Sequence, residues 1–220
     1  MPINPNNRWR AAFVVAGAAM ALGGPLHPES DAADPMREEL ATMTADDAWV
    51  LSHSLLVVGF VLLAAGLWSA HRAGAWPDST RKPLRIAAIA MSAYVVETVF
   101  HLAAVVDSDA LAAGDAAPVA FTHLGLAAVL YPVSGLALAW LGVHVFRSVG
   151  LPEKVFGVIG VVGGLVHAIS VPLTLLAPDL ETTPLFAGAG MLIAAWSLGV
   201  GVSGLRTADR HMFATVARPA

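Results

Sequence analysis

The chain has 220 residues, of which 57% are hydrophobic and only 13% are charged. Soluble domains carry roughly 45–50% apolar and about 25% charged residues, so this composition excludes a soluble globular domain and a disordered chain. The net charge of −4 argues against nucleic acid as a partner, and the absence of cysteine excludes disulfides and thiol chemistry.

The apolar residues occur in long blocks that resemble membrane spans. A helix needs about 20 apolar residues to cross roughly 30 Å of hydrocarbon. Six blocks meet this requirement, at residues 9–26, 49–70, 84–106, 119–146, 155–177 and 185–205. A lone strand cannot satisfy its backbone polar groups in lipid, so each block must be helical. We predict an all-α, six-helix membrane bundle that forms a single transmembrane domain over residues 1–220.

The first span has a second interpretation. Arg8 and Arg10, an apolar stretch and the sequence Ala19-Met20-Ala21 are also typical of a secretory signal that is cleaved after export. Cleavage there would leave five spans. We expect a retained helix instead.

The basic residues predict how the bundle is oriented. Every lysine and arginine except Arg37 lies beside or at the end of a span on the same side of the predicted topology, as at Arg8, Arg81, Lys154 and Arg206. The positive-inside rule makes that side cytoplasmic. We therefore expect a cell-membrane protein with both termini in the cytoplasm and with acidic loops outside.

The longest outer loop covers residues 27–48. Asp34 followed by Pro35 is typical of a helix start, with the aspartate as N-cap and the proline in the first turn. This pattern predicts a short helix over residues 34–40, lying across the outer mouth of the bundle.

The second and fourth spans resemble each other. One opens with Ser52-His53 and the other with Thr122-His123. The spans that follow them each carry a polar residue in mid-helix, Glu97 and His167. The hairpin of spans two and three thus resembles that of spans four and five. This predicts a four-helix core of spans two to five, with spans one and six peripheral.

Ionisable residues inside the predicted spans are the candidate functional residues, because charge is costly in a membrane. At about 1.5 Å of rise per residue, His53 and His123 lie about 6 Å below the outer ends of their spans. By the same rise, His101 lies about 8 Å deep, and Glu97 and His167 about 14–15 Å deep. Four consecutive helices thus each place a histidine in the outer half of the membrane. We predict that the four histidines bind a cofactor or, with Glu97, a metal, and that Glu97 is catalytic in proton transfer.

Histidine is a ligand both of haem iron and of non-haem iron, copper or zinc. Haem b would suit His53 and His123, which lie at equal depth on parallel helices. Three glycines would then leave room for the macrocycle, namely Gly59, Gly125 and Gly135. Glu97 favours a non-haem metal instead, because a carboxylate often completes a histidine-rich metal set. Each histidine alone is equally typical of a helix cap or a helix–helix hydrogen bond.

Several functions agree with such a site. The leading hypothesis is a membrane oxidoreductase or electron carrier whose lipophilic substrate, such as a quinol, enters from the lipid bilayer. The acidic outer loops favour the alternative of a transporter for a metal ion or a small solute. A metal-dependent membrane hydrolase and an accessory subunit with purely structural histidines stay open. So do partner subunits and a homo-oligomer.

Overall fold

The computed structural model describes residues 8–29, 34–177 and 180–204. Within these ranges the chain forms eight α-helices and no strand: α1 (Arg8–Gly23), α2 (Met36–Ala45), α3 (Trp49–Ala73), α4 (Arg81–Ala103), α5 (Ser108–Ala113), α6 (Pro118–Ser148), α7 (Leu151–Leu176) and α8 (Thr183–Ser203). The predicted all-α fold is confirmed. Position 205, the predicted end of the sixth span, and Arg206 lie outside the described residues.

Six helical segments are long and apolar enough to cross a membrane: Arg8–Leu26, Trp49–Ala73, Asp78–Ala113, Pro118–Ser148, Glu153–Leu176 and Thr183–Ser203. The six predicted spans are therefore confirmed. The segment around α4 extends furthest beyond its predicted bounds, because short 3₁₀ turns at Asp78–Thr80 and Ala104–Asp107 flank it.

The bundle exposes apolar side chains and buries polar ones. Val96 and Val129 are exposed, whereas His53, Glu97 and His123 are buried. This distribution is the one expected of a protein whose outer surface faces lipid, because ionisable groups in a membrane turn toward the bundle interior. The structure is therefore that of a multi-pass membrane protein.

The six long helices close into a ring in chain order. Each of α3, α4, α6 and α7 packs against the next long helix, and α1 packs against both α3 and α8. Spans one and six thus take places in the ring between α3 and α7, rather than outside a core of spans two to five. Small residues allow this: a Cβ atom at Gly17 of α1 would lie 2.7 Å from the Ala194 carbonyl oxygen of α8.

One end of the ring is covered by helical connections, and we call it the histidine end. There α2 packs against α5 and the 104–107 turn, and a small apolar cluster includes Leu40 and Leu111. The predicted helix in the 27–48 loop is confirmed, but its predicted start is wrong. The helix begins at Met36 with Pro35 as its N-cap, and no side chain caps it.

Candidate metal site

Antiparallel neighbours in the ring bring ionisable side chains together at the histidine end. His53 lies near the start of α3 and His123 near the start of α6, while Glu97 and His101 lie near the end of α4 between them. His27 joins them from the turn that follows α1. Because α4 runs against both of its neighbours, its last turns meet their first turns.

The four histidine rings form a continuous row. Ring centroids lie 4.7 Å apart for His27 and His53, 4.5 Å for His53 and His101, and 3.9 Å for His101 and His123. Glu97 flanks the far end of the row, with its Oε1 2.7 Å from His123 Nδ1 and 4.0 Å from His101 Nδ1. Five possible metal ligands thus lie side by side.

These ligand atoms fall into two compact groups. His27, His53 and His101 form one, and Glu97, His101 and His123 form the other. Within each group all three atoms lie within 4.8 Å of one another. Ligands bound to one ion at about 2.1 Å lie roughly 3.4 Å apart in a tetrahedral site, so each group needs only a small rearrangement of its side chains to bind an ion.

In two of the histidines, a hydrogen bond at Nδ1 leaves Nε2 available to bind a metal. His53 Nδ1 lies 2.7 Å from the Trp49 carbonyl oxygen and donates to it, since a carbonyl only accepts. Its Nε2 is buried without a hydrogen-bond partner. His27 Nδ1 likewise donates to the Pro28 carbonyl, 2.9 Å away. In both residues the backbone fixes the tautomer whose Nε2 lone pair is free, as is usual for metal-binding histidine.

Glu97 is the most unusual side chain of the site. It is completely buried, and its Oε2 has no hydrogen-bond partner among the described residues. Its Oε1 forms a close ion-pair contact with His123 Nδ1, 2.7 Å away. A buried carboxylate whose second oxygen has no partner is costly, because the desolvation of that oxygen is not compensated. A cation bound by Glu97 and His123 would reduce this cost.

Trp49 forms a wall of the site. Its indole stacks on His53 at 3.8 Å between ring centroids and meets His101 edge-on at 5.3 Å. The indole Nε1 donates to the Leu102 carbonyl oxygen, 3.1 Å away on α4. The fully buried tryptophan therefore holds both imidazoles in place.

His27 lies just outside the first span, and its ring is kept neutral. Burial lowers the pKa of His27 below its usual value of 6.5, and the hydrogen bond to Pro28 opposes this shift only in part. The ring is therefore neutral at pH 7, which is the state that binds a metal.

The structure places His167 away from this cluster. Its ring stacks on Tyr131 at 4.3 Å and meets Tyr94 edge-on at 4.9 Å. Ser134 donates to the Leu130 carbonyl oxygen 2.6 Å away, so its Oγ accepts from His167 Nε2–H at 3.2 Å. His167 belongs to neither compact group of ligand atoms among the described residues.

Four of the five predicted site residues are thus brought together: His53, Glu97, His101 and His123. The sequence argument missed His27 and Trp49. The depth criterion would have found His27, which directly follows the first span at the histidine end. A tryptophan at the start of a span is typical of the membrane interface, and no sequence signal marks the stacking of Trp49 on His53.

No protein-family model, curated protein or solved structure matches this chain. A role for the site therefore depends on the chemistry of its own residues. Imidazole nitrogens with one carboxylate are a donor set that suits iron, copper and zinc.

Proposed function

We propose that this protein is an integral membrane metalloprotein with a non-haem transition-metal centre, and that it acts as an oxidoreductase or electron carrier. The observation that carries the proposal is the convergence of ligand atoms on one row of histidines. Two of the buried atoms there, His53 Nε2 and Glu97 Oε2, have no hydrogen-bond partner. Of the metals that suit this donor set, iron or copper supplies electron transfer when bound.

The packing favours a non-haem metal over haem b. A haem held by His53 and His123 needs a macrocycle between the two rings, but His101 lies there, 4.5 Å and 3.9 Å from them. The three glycines expected to make room do not open a slot. A Cβ atom at Gly59 would lie 2.6 Å from Met20 Cγ, Gly135 faces the backbone of α7, and Gly125 is exposed.

The packing also favours a resident ion over a transported one. Beyond Glu97 the interior is filled by Tyr94, Tyr131 and His167, whose rings contact one another. At the opposite end, Phe13 packs against Trp76 and Trp196 with centroids 6.0 Å and 5.6 Å apart. These rings occupy buried positions where a transported cation would need polar ligands.

The surroundings of the site suit a lipophilic hydrogen donor such as a quinol. Large apolar side chains are exposed around the histidine end, at Leu26, Leu51, Val106 and Phe121. Such a surface lets a lipid-soluble molecule approach from the bilayer. Glu97 would accept a proton that the donor releases on oxidation, because its Oε2 has no partner of its own.

Metal analysis of the purified full-length chain tests this proposal. Cells are grown with iron, copper and zinc, and the metals in the detergent-purified protein are quantified by mass spectrometry. We expect iron or copper in the wild type, its loss in His53→Ala, and its retention in His71→Ala, the matched histidine on the same helix. Quinol oxidation, measured with an added one-electron acceptor that takes up the two electrons, should follow the metal content. A metal-free wild type, or a Soret band that sharpens on reduction, would overturn a non-haem centre.

A further inference from the structure

His101 is the only residue that belongs to both compact groups of ligand atoms. We propose that the site holds two metal ions, one on each side of His101, and that the two nitrogens of this imidazole each bind one of them. This inference rests on the proposed function, which requires only a single ion.

The spacing of the ligand atoms points to two ions. Ligands on opposite sides of one ion, bound at about 2.1 Å, are at most about 4.2 Å apart. The groups around His27 and His53, and around Glu97 and His123, each come close to that limit. In the described part of the chain, no compact group of three joins a member of the first pair with a member of the second.

The position of His101 in the row supports a bridging role. Its ring lies between those of His53 and His123, at 4.5 Å and 3.9 Å. Its Nδ1 is on the side of Glu97, 4.0 Å from Oε1. Nε2 is then the nitrogen left for the ion on the side of His27 and His53.

The buried atoms without partners are also divided between the two sides. His53 Nε2 is one of them, and Glu97 Oε2 is on the other side of His101. A single ion would satisfy one side and leave the other with a buried polar atom that has no partner, which is costly. Two ions would provide a partner for the buried polar atoms on both sides of His101.

The proton balance of the bridge can be stated. Neutral imidazole carries one N–H proton, so binding through both nitrogens requires that His101 lose it. When the second ion binds, the proton passes to solvent and the imidazole becomes an imidazolate between two cations. No oxidation or reduction accompanies this step, and metal binding is expected to release protons in this way.

The test is the metal stoichiometry of the metal-free full-length protein titrated with Zn²⁺ in detergent, by calorimetry and mass spectrometry. We expect two ions per chain in the wild type, and one in His27→Ala and in Glu97→Gln. The control His144→Ala, which changes a histidine at the opposite end of α6, should bind two. One ion in the wild type would overturn the bridge and leave the proposed function standing, whereas no bound ion would overturn both.

A second measurement tests the bridge through His101 in the wild-type protein. Wild-type protein loaded with Cu²⁺ is examined by electron paramagnetic resonance, and the integrated signal is compared with the copper content. Two ions joined through an imidazolate couple their spins, so the signal should account for less than the copper present. A signal that accounts for all of the copper would contradict bridging by His101.

Discussion

His53 lies flat against the indole of Trp49, the residue one helical turn before it, with ring centroids 3.8 Å apart. Its Nδ1 also lies 2.7 Å from the carbonyl oxygen of the same residue. The backbone of Trp49 thus fixes the tautomer of His53, and its side chain fixes the tilt of the ring. Because the indole is in turn held by the Leu102 carbonyl, α3 and α4 together aim His53 Nε2.

Replacing Trp49 by phenylalanine tests this positioning. The variant keeps the backbone carbonyl and an aromatic ring, but it loses the hydrogen bond to Leu102 and part of the stacking surface. Supporting residues of this kind typically change metal affinity about 10–100-fold, and we expect a loss near the lower end of that range. Competition with a chromophoric chelator measures the affinity.

The matched control for this change is Trp68→Phe. Trp68 lies on the same helix, and its Nε1 donates to Ser92 Oγ 3.0 Å away rather than supporting a histidine. Its metal affinity should equal that of the wild type. Equal affinities in all three proteins would contradict a positioning role for Trp49.

His167→Phe should keep the full metal content. The ring of His167 is already used, since its Nε2 donates to Ser134 and its face stacks on Tyr131. His123→Phe, which alters a member of the ligand row, should lose metal. Mass spectrometry of both purified variants distinguishes the two histidines. Loss of metal from a folded His167→Phe protein would show that the separation of His167 from the site is wrong.

The spans could be predicted because the thickness of the bilayer sets their length and composition. The closure of the ring could not, since it depends on which helix faces which. A Cβ atom at Gly201 of α8 would lie 2.9 Å from the Arg10 carbonyl oxygen of α1, and this contact joins the first and last of the described helices. Glycine in a sequence indicates close packing, but it does not say against which neighbour.

The candidate site was predicted from depth alone, and this explains why the prediction groups four neighbouring residues with one, His167, that lies apart from them. Glu97 and His167 lie at nearly the same predicted depth, about 14–15 Å. However, α4 packs beside α3 and α6, whereas α7 packs between α6 and α8. His167 therefore meets Tyr131 and Ser134 instead of the histidine row. Depth predicts how far a residue lies along the membrane normal, whereas the order of the helices determines which residues it contacts.

Asp107 holds the start of the helix that carries His123. Its Oδ2 accepts hydrogen bonds from the backbone N–H groups of Val119 at 2.6 Å and Ala120 at 3.0 Å. Loss of such a cap costs about 1 kcal/mol, within a range of roughly 0.5–2 kcal/mol. We expect Asp107→Ala to lower the melting temperature in detergent. The exposed Asp109→Ala should leave it unchanged, and equal melting temperatures of the two variants would contradict the capping role.

The contact between α6 and α7 can be tested with two glycine substitutions that are expected to change the stability in different directions. A Cβ atom at Gly135 would lie 2.6 Å from the backbone nitrogen of Ala168, so Gly135→Ala must push the helices apart. Overpacking of this kind costs about 1–3 kcal/mol. At Gly125, on the same helix, an added Cβ would meet nothing within 4 Å. Alanine is the better helix former by about 1 kcal/mol, so Gly125→Ala should be neutral or stabilising.

Thermal unfolding of these two variants in detergent measures the difference. Gly135→Ala should melt below the wild type, and Gly125→Ala at or above it, with full metal content because Gly125 faces away from the histidine row. The same two variants test whether the bundle leaves the space that was expected for a haem macrocycle. If Gly135→Ala unfolded no earlier than the wild type, α6 and α7 could not be packed backbone to backbone at this point, and a slot between them would become tenable again.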